Sequence, residues 1–384
     1  MTPALAPTLL AHLRARQGEM VDLLSRLTRL ESPTLVPASQ GPVFDLLAEA
    51  LDRAGYRVRR LPGRTSGGQL LALPVERRRG QGAQLLLGHA DTVWEEGTLA
   101  QMPVAMADGR LSGPGVYDMK GGLVQGIFAL SALRELGLAP PATPVFFINS
   151  DEEVGSDDSL RTIERLARRM HRVFVLEPSL GPEGRLKTAR KGVGRFTVTV
   201  HGRAAHAGLA PEEGASAIVE LAHVILRLAA LNDPARGITV NVGRVQGGVR
   251  GNVVAPEAWA DVDVRVLTQE DGKVVEAVLL GLQPVTPGTR IEVERWVDRL
   301  PLERTPRNQV LYRTAVEAAG ELGIEIAEGT AGGGSDGNLT SLHTATLDGL
   351  GAVGGGAHAV HEFVFVDRLP ERAALLAFLL LAPV

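Results

Sequence analysis

Apolar runs of strand length alternate along the chain with longer segments in which apolar residues recur at helical spacing. Near-continuous apolar runs, typical of strands buried on both faces, span 84–88, 143–148 and 173–176, and a fourth candidate strand spans 344–350. Helical spacing is found at 120–138, 158–170 and 305–322. This alternation predicts an α/β fold with a mostly parallel sheet flanked by helices.

The pattern changes between residues 191 and 298. Apolar and polar residues alternate at 195–200, 238–245, 258–266 and 290–297, as in half-exposed strands, while 215–231 and 270–282 have helical spacing. The order β-α-β-β-α-β is typical of a small ferredoxin-like α+β domain. We therefore expect residues 191–298 to be inserted between two parts of a catalytic α/β domain, 1–190 and 299–384.

Composition and charge exclude several classes of function. The 384 residues include 40 Lys+Arg and 44 Asp+Glu, a formal net charge of -4, which gives no electrostatic basis for binding nucleic acid or an anionic membrane. The chain has no Cys, which excludes disulfides and thiolate chemistry and fits a cytoplasmic protein. Residues 1–20 lack the features of a signal peptide. The apolar segment 373–384 is too short to span a bilayer, so we expect a helix docked on the core.

Side chains suited to binding metal follow the predicted strands. These are His89 and Asp91 after the first strand, Asp151, Glu152 and Glu153 after the second, Glu177 after the third, and His358 beyond the fourth. Asp118 lies in a turn-rich segment, 113–122, that opens a helix. Because open α/β sheets bind ligands outside the carboxyl ends of their strands, we expect these groups to converge on one crevice.

Several carboxylates cannot share a dry site unless positive charge compensates them. No Lys or Arg directly follows these strands, so we expect metal ions to do so. Imidazole and carboxylate ligands without sulfur favour zinc, with cobalt or manganese as alternatives. Two imidazoles and three carboxylates exceed what one open catalytic site uses, whereas two ions ~3.5–4 Å apart, bridged by one carboxylate, would use them all.

Each of these signals has an ordinary explanation when it is taken alone. An isolated His-x-Asp is usually incidental, adjacent Glu residues often begin a helix, and Gly-rich segments indicate only tight turns. The combination of spacing and position after the strands is what favours a metal site.

The chain resembles the zinc metallopeptidase family of carboxypeptidase G, acetylornithine deacetylase, succinyl-diaminopimelate desuccinylase and aminoacylase, and it is most similar to carboxypeptidase G. The resemblance runs from about residue 20 to the C-terminus. Its motifs are Gly88-His89-Ala90-Asp91-Thr92-Val93, Gly113-x-Gly115-x-x-Asp118-Met119-Lys120-Gly121-Gly122, Asp151-Glu152-Glu153-x-Gly155-Ser156, Glu177-Pro178 and His358-x-x-x-Glu362.

The resemblance implies a set of metal ligands. Asp118 would bridge two zinc ions, with His89 and Glu177 completing one site and Glu153 and His358 completing the other. His361 is a rival ligand, but the His-x-x-x-Glu spacing selects His358. A cis peptide bond after Asp118 is implied as well.

The resemblance also implies catalytic roles. Glu152 would be the general base, taking a proton from a water acidified by the metals and passing it to the leaving amine. Asp91 would accept the other N–H of His89 and so fix its tautomer.

Further contacts implied by the resemblance concern the substrate. His206 would supply an oxyanion or substrate contact across a homodimer formed through the inserted domain. Arg265 and Asn252 would hold a free carboxylate of the substrate, and backbone N–H groups of Gly333 and Gly334 would face it.

The implied reaction is hydrolysis of an amide bond that releases a C-terminal amino acid, such as glutamate, from an N-acyl or peptidyl precursor. Glu177 is typical of the carboxypeptidase and deacylase branch of the family. Deacylation of an N-acyl amino acid, such as acetylornithine or acetyllysine, is the alternative.

Two other classes of protein compete with this interpretation. The segment 333–337 fits the G-x-S-x-G motif of serine hydrolases, and Asp348 and His358 follow Ser335 in the required order. That motif needs a strand directly before the Ser, and 327–334 has almost no apolar run. A non-catalytic binding protein on the same fold is the second alternative, but it would be expected to have lost a ligand or Glu152.

Overall fold

A computed structural model describes residues 5–77 and 80–384, with the backbone alone described at residues 297 and 298. Residues 1–4, which belong to the segment 1–20 discussed above as a possible signal peptide, lie outside the described residues. The chain forms two compact units. The first comprises Met1–Thr188, Arg304–Thr330 and Ser335–Val384, and the second comprises Ala189–Glu303 and Ala331–Gly334.

The elements agree in order with those predicted from the apolar pattern. The helices are α1 (Leu5–Ala15), α2 (Gln17–Thr28), α3 (Gly41–Arg53), α4 (Gly121–Glu135), α5 (Leu160–Ala167), α6 (Ala217–Ala229), α7 (Gln269–Leu280), α8 (Pro306–Glu321), α9 (Asp336–Ser341) and α10 (Arg368–Leu381). The strands are β1 (Tyr56–Leu61), β2 (Gln69–Pro74), β3 (Ala83–His89), β4 (Ala105–Ala107), β5 (Arg110–Ser112), β6 (Thr143–Asn149), β7 (Arg172–Val175), β8 (Leu186–Arg190), β9 (Gly192–His201), β10 (Thr239–Gly247), β11 (Glu257–Val266), β12 (Arg290–Arg299), β13 (Glu328–Ala331), β14 (Ala345–Leu347), β15 (Gly354–Gly355) and β16 (Phe363–Phe365).

The first unit is built on a six-stranded sheet with the order β1-β2-β6-β3-β7-β14. Strand β2 runs antiparallel to both of its neighbours, whereas β3 is parallel to β6 and β7, and β14 is parallel to β7. The predicted mostly parallel sheet is therefore confirmed. Strands β3 and β6 are buried along nearly their whole length, which explains their mostly apolar sequences.

Helix α4 packs closely on this sheet because it carries glycine where the two elements meet. A Cβ atom at Gly122 would lie 2.0 Å from the carbonyl oxygen of Leu176, and one at Gly126 would lie 2.8–2.9 Å from side-chain atoms of Leu176 and Phe146. Any larger residue at Gly122 would push the helix away from the sheet. Gly122 and Gly126 thus allow α4, which follows the Asp118 turn, to approach Leu176 and Phe146 closely.

The C-terminal helix α10 is buried along most of its length and packs against α1 and α4, as the apolar segment predicts. Within the described part of the chain, no helix is both long enough and apolar enough to cross a membrane.

The second unit has the predicted order β9-α6-β10-β11-α7-β12, with an antiparallel sheet in the order β10-β11-β9-β12. Buried residues alternate along β11, and its inward side chains share a core with those of α6 and α7. This arrangement is the ferredoxin-like fold that the sequence predicts. Strand β10 lies at an edge of the sheet.

Candidate metal centre

Three parallel strands of the first unit end at the same edge of the sheet, β7 two residues before β3 and β6. His89 is the last residue of β3 and is paired in register with Asn149, the last residue of β6. Leu87 of β3 is paired with Val175, the last residue of β7. The chain then turns at each strand end, which brings the segments that carry Glu152, Glu153 and Glu177 to the side where His89 lies.

The other four predicted ligands lie in two groups beside Asp118. Nε2 of His89 lies 3.4 Å from Oδ1 of Asp118 and 3.4 Å from Oε1 of Glu177. Nε2 of His358 lies 3.5 Å from Oδ2 of Asp118 and 3.3 Å from Oε2 of Glu153. One oxygen of Asp118 thus faces each group, the arrangement expected of a bridging carboxylate between two ions. The peptide bond between Asp118 and Met119 is cis, as the resemblance implies.

The donor atoms of this cluster fit metal ions. Among the described residues, three of these atoms are buried and have no hydrogen-bond partner, namely Nε2 of His89, Oδ1 of Asp118 and Oε1 of Glu153. A buried polar atom that lacks a hydrogen-bond partner destabilises the folded state unless another group interacts with it. Imidazole nitrogen and carboxylate oxygen are donors that suit zinc, cobalt and manganese.

The pKa values of the cluster show how strongly its carboxylates attract positive charge. Contacts with Asp118 and Glu153 raise the pKa of His358 to about 10. Burial raises the pKa of Glu153 to about 7. Burial also acts to raise the pKa of Asp118, but its close contacts with the imidazoles of His358 and His89 outweigh that effect and hold the pKa well below its usual range. His358 and Glu153 therefore hold protons more readily than usual while Asp118 stays ionised, and the negative charge gathered here favours cations.

Asp91 faces Nδ1 of His89 with both its backbone carbonyl and its carboxylate. Nδ1 of His89 lies 3.0 Å from the backbone carbonyl oxygen of Asp91 and 3.4 Å from its carboxylate. The carbonyl is therefore the nearer acceptor for an N–H at Nδ1, which leaves Nε2 to face Asp118. The carboxylate of Asp91 accepts from the hydroxyl of Thr34 at 2.8 Å and from the backbone N–H of Glu153 at 3.2 Å. It thus supports both the imidazole and the turn that follows β6.

Glu152 lies beside the cluster. A carboxylate oxygen of Glu152 and ligand atoms of His89 and Glu177 all lie within 4.8 Å of one another. Glu152 is half-buried, and its backbone N–H is directed at Asp91 at 3.4 Å. A carboxylate in this position is within reach of a water held between the two groups of ligands.

Lys187 is a cationic neighbour that the sequence did not indicate. Its Nζ lies 3.8 Å from Oε2 of Glu177, and the side chain is almost completely buried. Lys187 belongs to β8 rather than to a segment that follows one of the parallel strands. For that reason, the residues that directly follow those strands gave no indication of Lys187. The other oxygen of Glu177 remains directed toward His89.

His358, rather than the rival His361, contacts the other candidate ligands. His358 has a φ of 60°, in the left-handed region that residues other than glycine seldom occupy. A residue in this conformation needs support from its surroundings, and such residues are common at functional sites. His361 is exposed on the same turn, whereas His358 contacts Asp118 and Glu153.

Ser335 has a structural role. Strand β13 does precede it, contrary to the sequence-based expectation, but that strand ends at Ala331. The side chain of Ser335 is fully buried, caps helix α9 and accepts from the N–H of Gly337 at 3.0 Å. Its hydroxyl donates to Oδ2 of Asp348 at 2.6 Å. The His that the serine-hydrolase alternative requires, His358, lies instead against Asp118 and Glu153.

The predicted substrate contacts lie in the second unit. Arg265 pairs with Asp263 through two hydrogen bonds, from Nε at 2.7 Å and Nη2 at 3.0 Å, which fix the plane of its guanidinium group. His206 is exposed, and its Nδ1 accepts from the N–H groups of Gly208 and Leu209, which leaves Nε2 directed away from that turn.

The remaining predicted substrate contacts lie in loops of that unit. The backbone carbonyl of Asn252 accepts from the N–H of Ala207 at 3.0 Å, which joins the Asn252 and His206 loops. The carbonyl oxygens of Gly333 and Gly334 accept from Nη1 of the buried Arg190 at 3.2 and 3.0 Å. Arg190 thus holds the Gly-rich loop from within the same unit, a contact that the sequence motif did not predict.

Known proteins share this fold and these motifs. The family profile described as Peptidase family M20/M25/M40 matches residues 85–382. Carboxypeptidase G2 of Pseudomonas sp. (strain RS-16) is 29% identical over 375 residues, covering 95% of this chain and 89% of that protein. Succinyl-diaminopimelate desuccinylase of Dechloromonas aromatica (strain RCB) is 27% identical over 375 residues, covering 92% of this chain and 96% of that protein.

A solved structure supports the fold independently. Aminopeptidase PepT from Bacillus cereus ATCC 10987 matches with a TM-score of 0.79 at 22% identity, covering 95% of this chain and 98% of that one. At that identity the likeness concerns the fold alone. The resemblance first seen in the motifs is confirmed by the family profile, which covers most of the chain. The protein is therefore a metallopeptidase-type hydrolase that belongs to peptidase family M20/M25/M40.

Proposed function

We propose that this chain is a two-zinc amide hydrolase that releases a C-terminal amino acid, glutamate first among the candidates, from an N-acyl or peptidyl precursor. The observation that carries the proposal is the placement of Asp118 between His89 and His358, with one carboxylate oxygen facing each imidazole. A single ion would leave half of the donor atoms unused.

Each ion would take its own ligands from the cluster. His89, Asp118 and Glu177 would hold one, and Asp118, Glu153 and His358 the other, with cobalt or manganese as alternatives to zinc. When bound, such ions supply positive charge that acidifies a water and polarises an amide carbonyl.

The remaining chemistry belongs to residues of the chain. Glu152 takes a proton from the attacking water on a carboxylate oxygen and passes it to the nitrogen of the departing amine. The hydrogen bond from Glu153 N–H to Asp91 keeps the turn that carries Glu152 in place during this transfer. We propose that Arg265 and Asn252 hold the free carboxylate of the substrate, and that His206 supplies an oxyanion or substrate contact across the homodimer.

The choice of a carboxypeptidase rests on two supports. A Glu at position 177 is typical of the carboxypeptidase and deacylase branch of the family. The relative named carboxypeptidase G2 aligns over nearly the whole chain. A deacylase is the second candidate, favoured by the comparable alignment with a protein named as a desuccinylase. Both reactions break an amide bond and leave a free amino-acid carboxylate.

We also propose that the protein is a homodimer joined through the second unit. Strand β10 lies at the edge of its sheet, so its backbone can pair with another strand. The apolar side chains of Ile218, Val219 and Leu226 on α6 are exposed, with Leu226 70% accessible. Together they form a surface suited to a second copy of the chain. The cytoplasmic location predicted from the sequence stays a prediction.

The test is a substrate screen with the wild-type protein and Glu152→Gln. Zinc-loaded wild type is assayed on N-acyl glutamates, other N-acyl amino acids and dipeptides. We expect turnover to require a free C-terminal carboxylate, to cease with a chelator and to return with zinc, cobalt or manganese. Glu152→Gln should retain bound metal, measured by elemental analysis, and lose turnover by about 10²–10⁴-fold.

Two results would contradict the proposal. Hydrolysis that persists after the metal has been removed would exclude a metal-dependent reaction. A requirement for a free amino terminus, with indifference to the C-terminal carboxylate, would exclude both the carboxypeptidase and the deacylase.

A further inference from the structure

Four hydrogen-bond donors converge on the carboxylate of Glu362, a completely buried residue that is not among the predicted ligands. Oε1 accepts from the backbone N–H groups of Tyr117 at 2.8 Å and Asp118 at 3.0 Å. Oε2 accepts from the N–H of Gly115 at 2.9 Å and from Nε1 of Trp94 at 2.9 Å. An ionised carboxylate accepts about four hydrogen bonds, so these donors saturate it.

Three of the four donors belong to the turn that presents Asp118. The N–H groups of Gly115, Tyr117 and Asp118 point to one acceptor, so the turn is wrapped around the Glu362 carboxylate. Hydrogen bonds to an ionised group are stronger than those between neutral groups. The backbone of Asp118, and with it the origin of its side chain, is therefore fixed by Glu362.

The backbone of Glu362 closes the turn that presents His358. The N–H of Glu362 donates to the carbonyl of Ala359 at 2.9 Å, and the N–H of Ala359 donates to the carbonyl of Gly356 at 2.8 Å. The carbonyl of Glu362 in turn accepts from the N–H of Gly113, at the start of the Asp118 turn, at 3.3 Å. His358 lies inside this closed turn with its φ of 60°.

Glu362 thus links two turns whose side chains meet. Nε2 of His358 lies 3.5 Å from Oδ2 of Asp118. We infer that Glu362 is a positioning residue that sets the distance between Asp118 and His358 and thereby the affinity for the ion shared by Asp118, Glu153 and His358. This inference rests on the proposed two-metal function. It concerns a residue that touches neither the substrate nor the ions.

A residue that merely stabilised the fold would have the same hydrogen bonds, so the test must separate the two roles. Glu362→Gln keeps the size of the side chain but presents an amide N–H₂ group to two of the four donors. Glu220→Gln is the matched control. Glu220 is a completely buried carboxylate of the second unit that accepts from the N–H groups of Val285 at 3.1 Å and Thr286 at 2.6 Å.

The experiment is a calorimetric titration of the full-length apoprotein with Zn²⁺, repeated with Co²⁺ and followed by its visible absorption. Glu362→Gln should weaken binding of one of the two ions by about 10–100-fold, the range typical when support for a metal ligand is lost. The cobalt spectrum should report a changed ligand geometry for that ion. Glu220→Gln should lower the melting temperature and leave both affinities and the cobalt spectrum unchanged.

Each outcome decides between the alternatives. If Glu362→Gln binds both ions as tightly as wild type while its melting temperature falls, the residue is only structural and the inference is wrong, although the proposed function stands. If wild type itself binds fewer than two ions, the proposed function fails first. Should Glu362→Gln not fold, Glu362→Asp keeps the charge and shortens the side chain. Its affinity for one ion must then fall below wild type, or the inference is rejected.

Discussion

The hydroxyl of Ser335 donates a 2.6 Å hydrogen bond to Oδ2 of Asp348, and both side chains are completely buried. Ser335→Ala removes that bond and the N-cap of α9. We expect it to lower the free energy of unfolding by about 1.5–3 kcal/mol, the usual value for a hydrogen bond to a charged group. Amide hydrolysis by the metal-loaded protein should remain within a few-fold of wild type, measured with the substrate identified in the screen.

Ser341→Ala is the matched control for that substitution. Ser341 is also buried in α9, and its hydroxyl donates to the backbone carbonyl of Asn338 at 3.1 Å, not to a carboxylate. We expect a smaller loss, about 1 kcal/mol. Complete loss of turnover in Ser335→Ala alone, in a protein that retains its fold and metal, would revive the serine-hydrolase alternative.

Asp91 supports both His89 and the turn after β6, so its carboxylate should matter to catalysis more than to folding. In Asp91→Asn an amide replaces a carboxylate that accepts from Thr34 and from the N–H of Glu153. We expect metal affinity or turnover to fall by about 10–100-fold. Steady-state kinetics and metal titration measure the two effects separately. Thr34→Val, which removes one donor and leaves the carboxylate, should show the same effect at smaller size. Identical behaviour of Asp91→Asn and wild type would contradict this role.

Asp158 gives a pH dependence whose sign is fixed by its surroundings. Burial acts to raise its pKa, but hydrogen bonds from the Ser66 hydroxyl and from the backbone N–H groups of Arg64, Thr65 and Ser66 lower the pKa to about 2. At pH values between about 2 and the ordinary pKa of 3.8, this carboxyl therefore binds more protons in the unfolded chain than in the folded one. This stabilisation is complete above that interval and is lost as the pH falls through it.

The measurement compares melting temperatures of wild type and Asp158→Asn at pH 7 and at pH 3. The variant should have a lower melting temperature than wild type at pH 7, and the difference between the two melting temperatures should be smaller at pH 3. Asp157→Asn, at the exposed neighbouring position, controls for the loss of one carboxylate. If the difference in melting temperature is the same at both pH values, the stabilisation by the hydrogen bonds of Asp158 does not depend on its charge.

Arg265 is held flat against Asp263, which presets its guanidinium group for a planar anion. Arg265→Lys keeps the charge and loses the paired donors. If this group binds the substrate carboxylate, KM for an N-acyl glutamate should rise by about 10-fold or more while kcat changes less. Arg244→Lys, beside Asp261 in the same sheet, is the control. An equal, small effect of both substitutions on KM would remove Arg265 from the substrate site.

Much of the fold could be predicted from the local pattern of apolar and polar residues. The near-continuous apolar runs at 84–88 and 143–148 predicted strands covered on both faces, and β3 and β6 are buried along nearly their whole length. The alternation in 258–266 likewise gave β11 to within a residue. The fourth strand is shorter than predicted, since β14 spans only Ala345–Leu347 and ends before Asp348 and Gly349, whereas the candidate strand spans 344–350.

The sequence by itself determined which residues follow the parallel strands, because strand direction and the carboxyl-edge rule depend only on the order of elements. It therefore placed His89, Glu153, Glu177 and His358 among the candidate ligands, and the motif resemblance joined Asp118 to them as one set. Only the tertiary structure decided their supporting contacts. Lys187 reaches Glu177 from β8, and the carboxylate of Glu362 reaches Asp118 from beyond the last ligand. Such contacts arise where segments distant in sequence pack together, and no local periodicity encodes them.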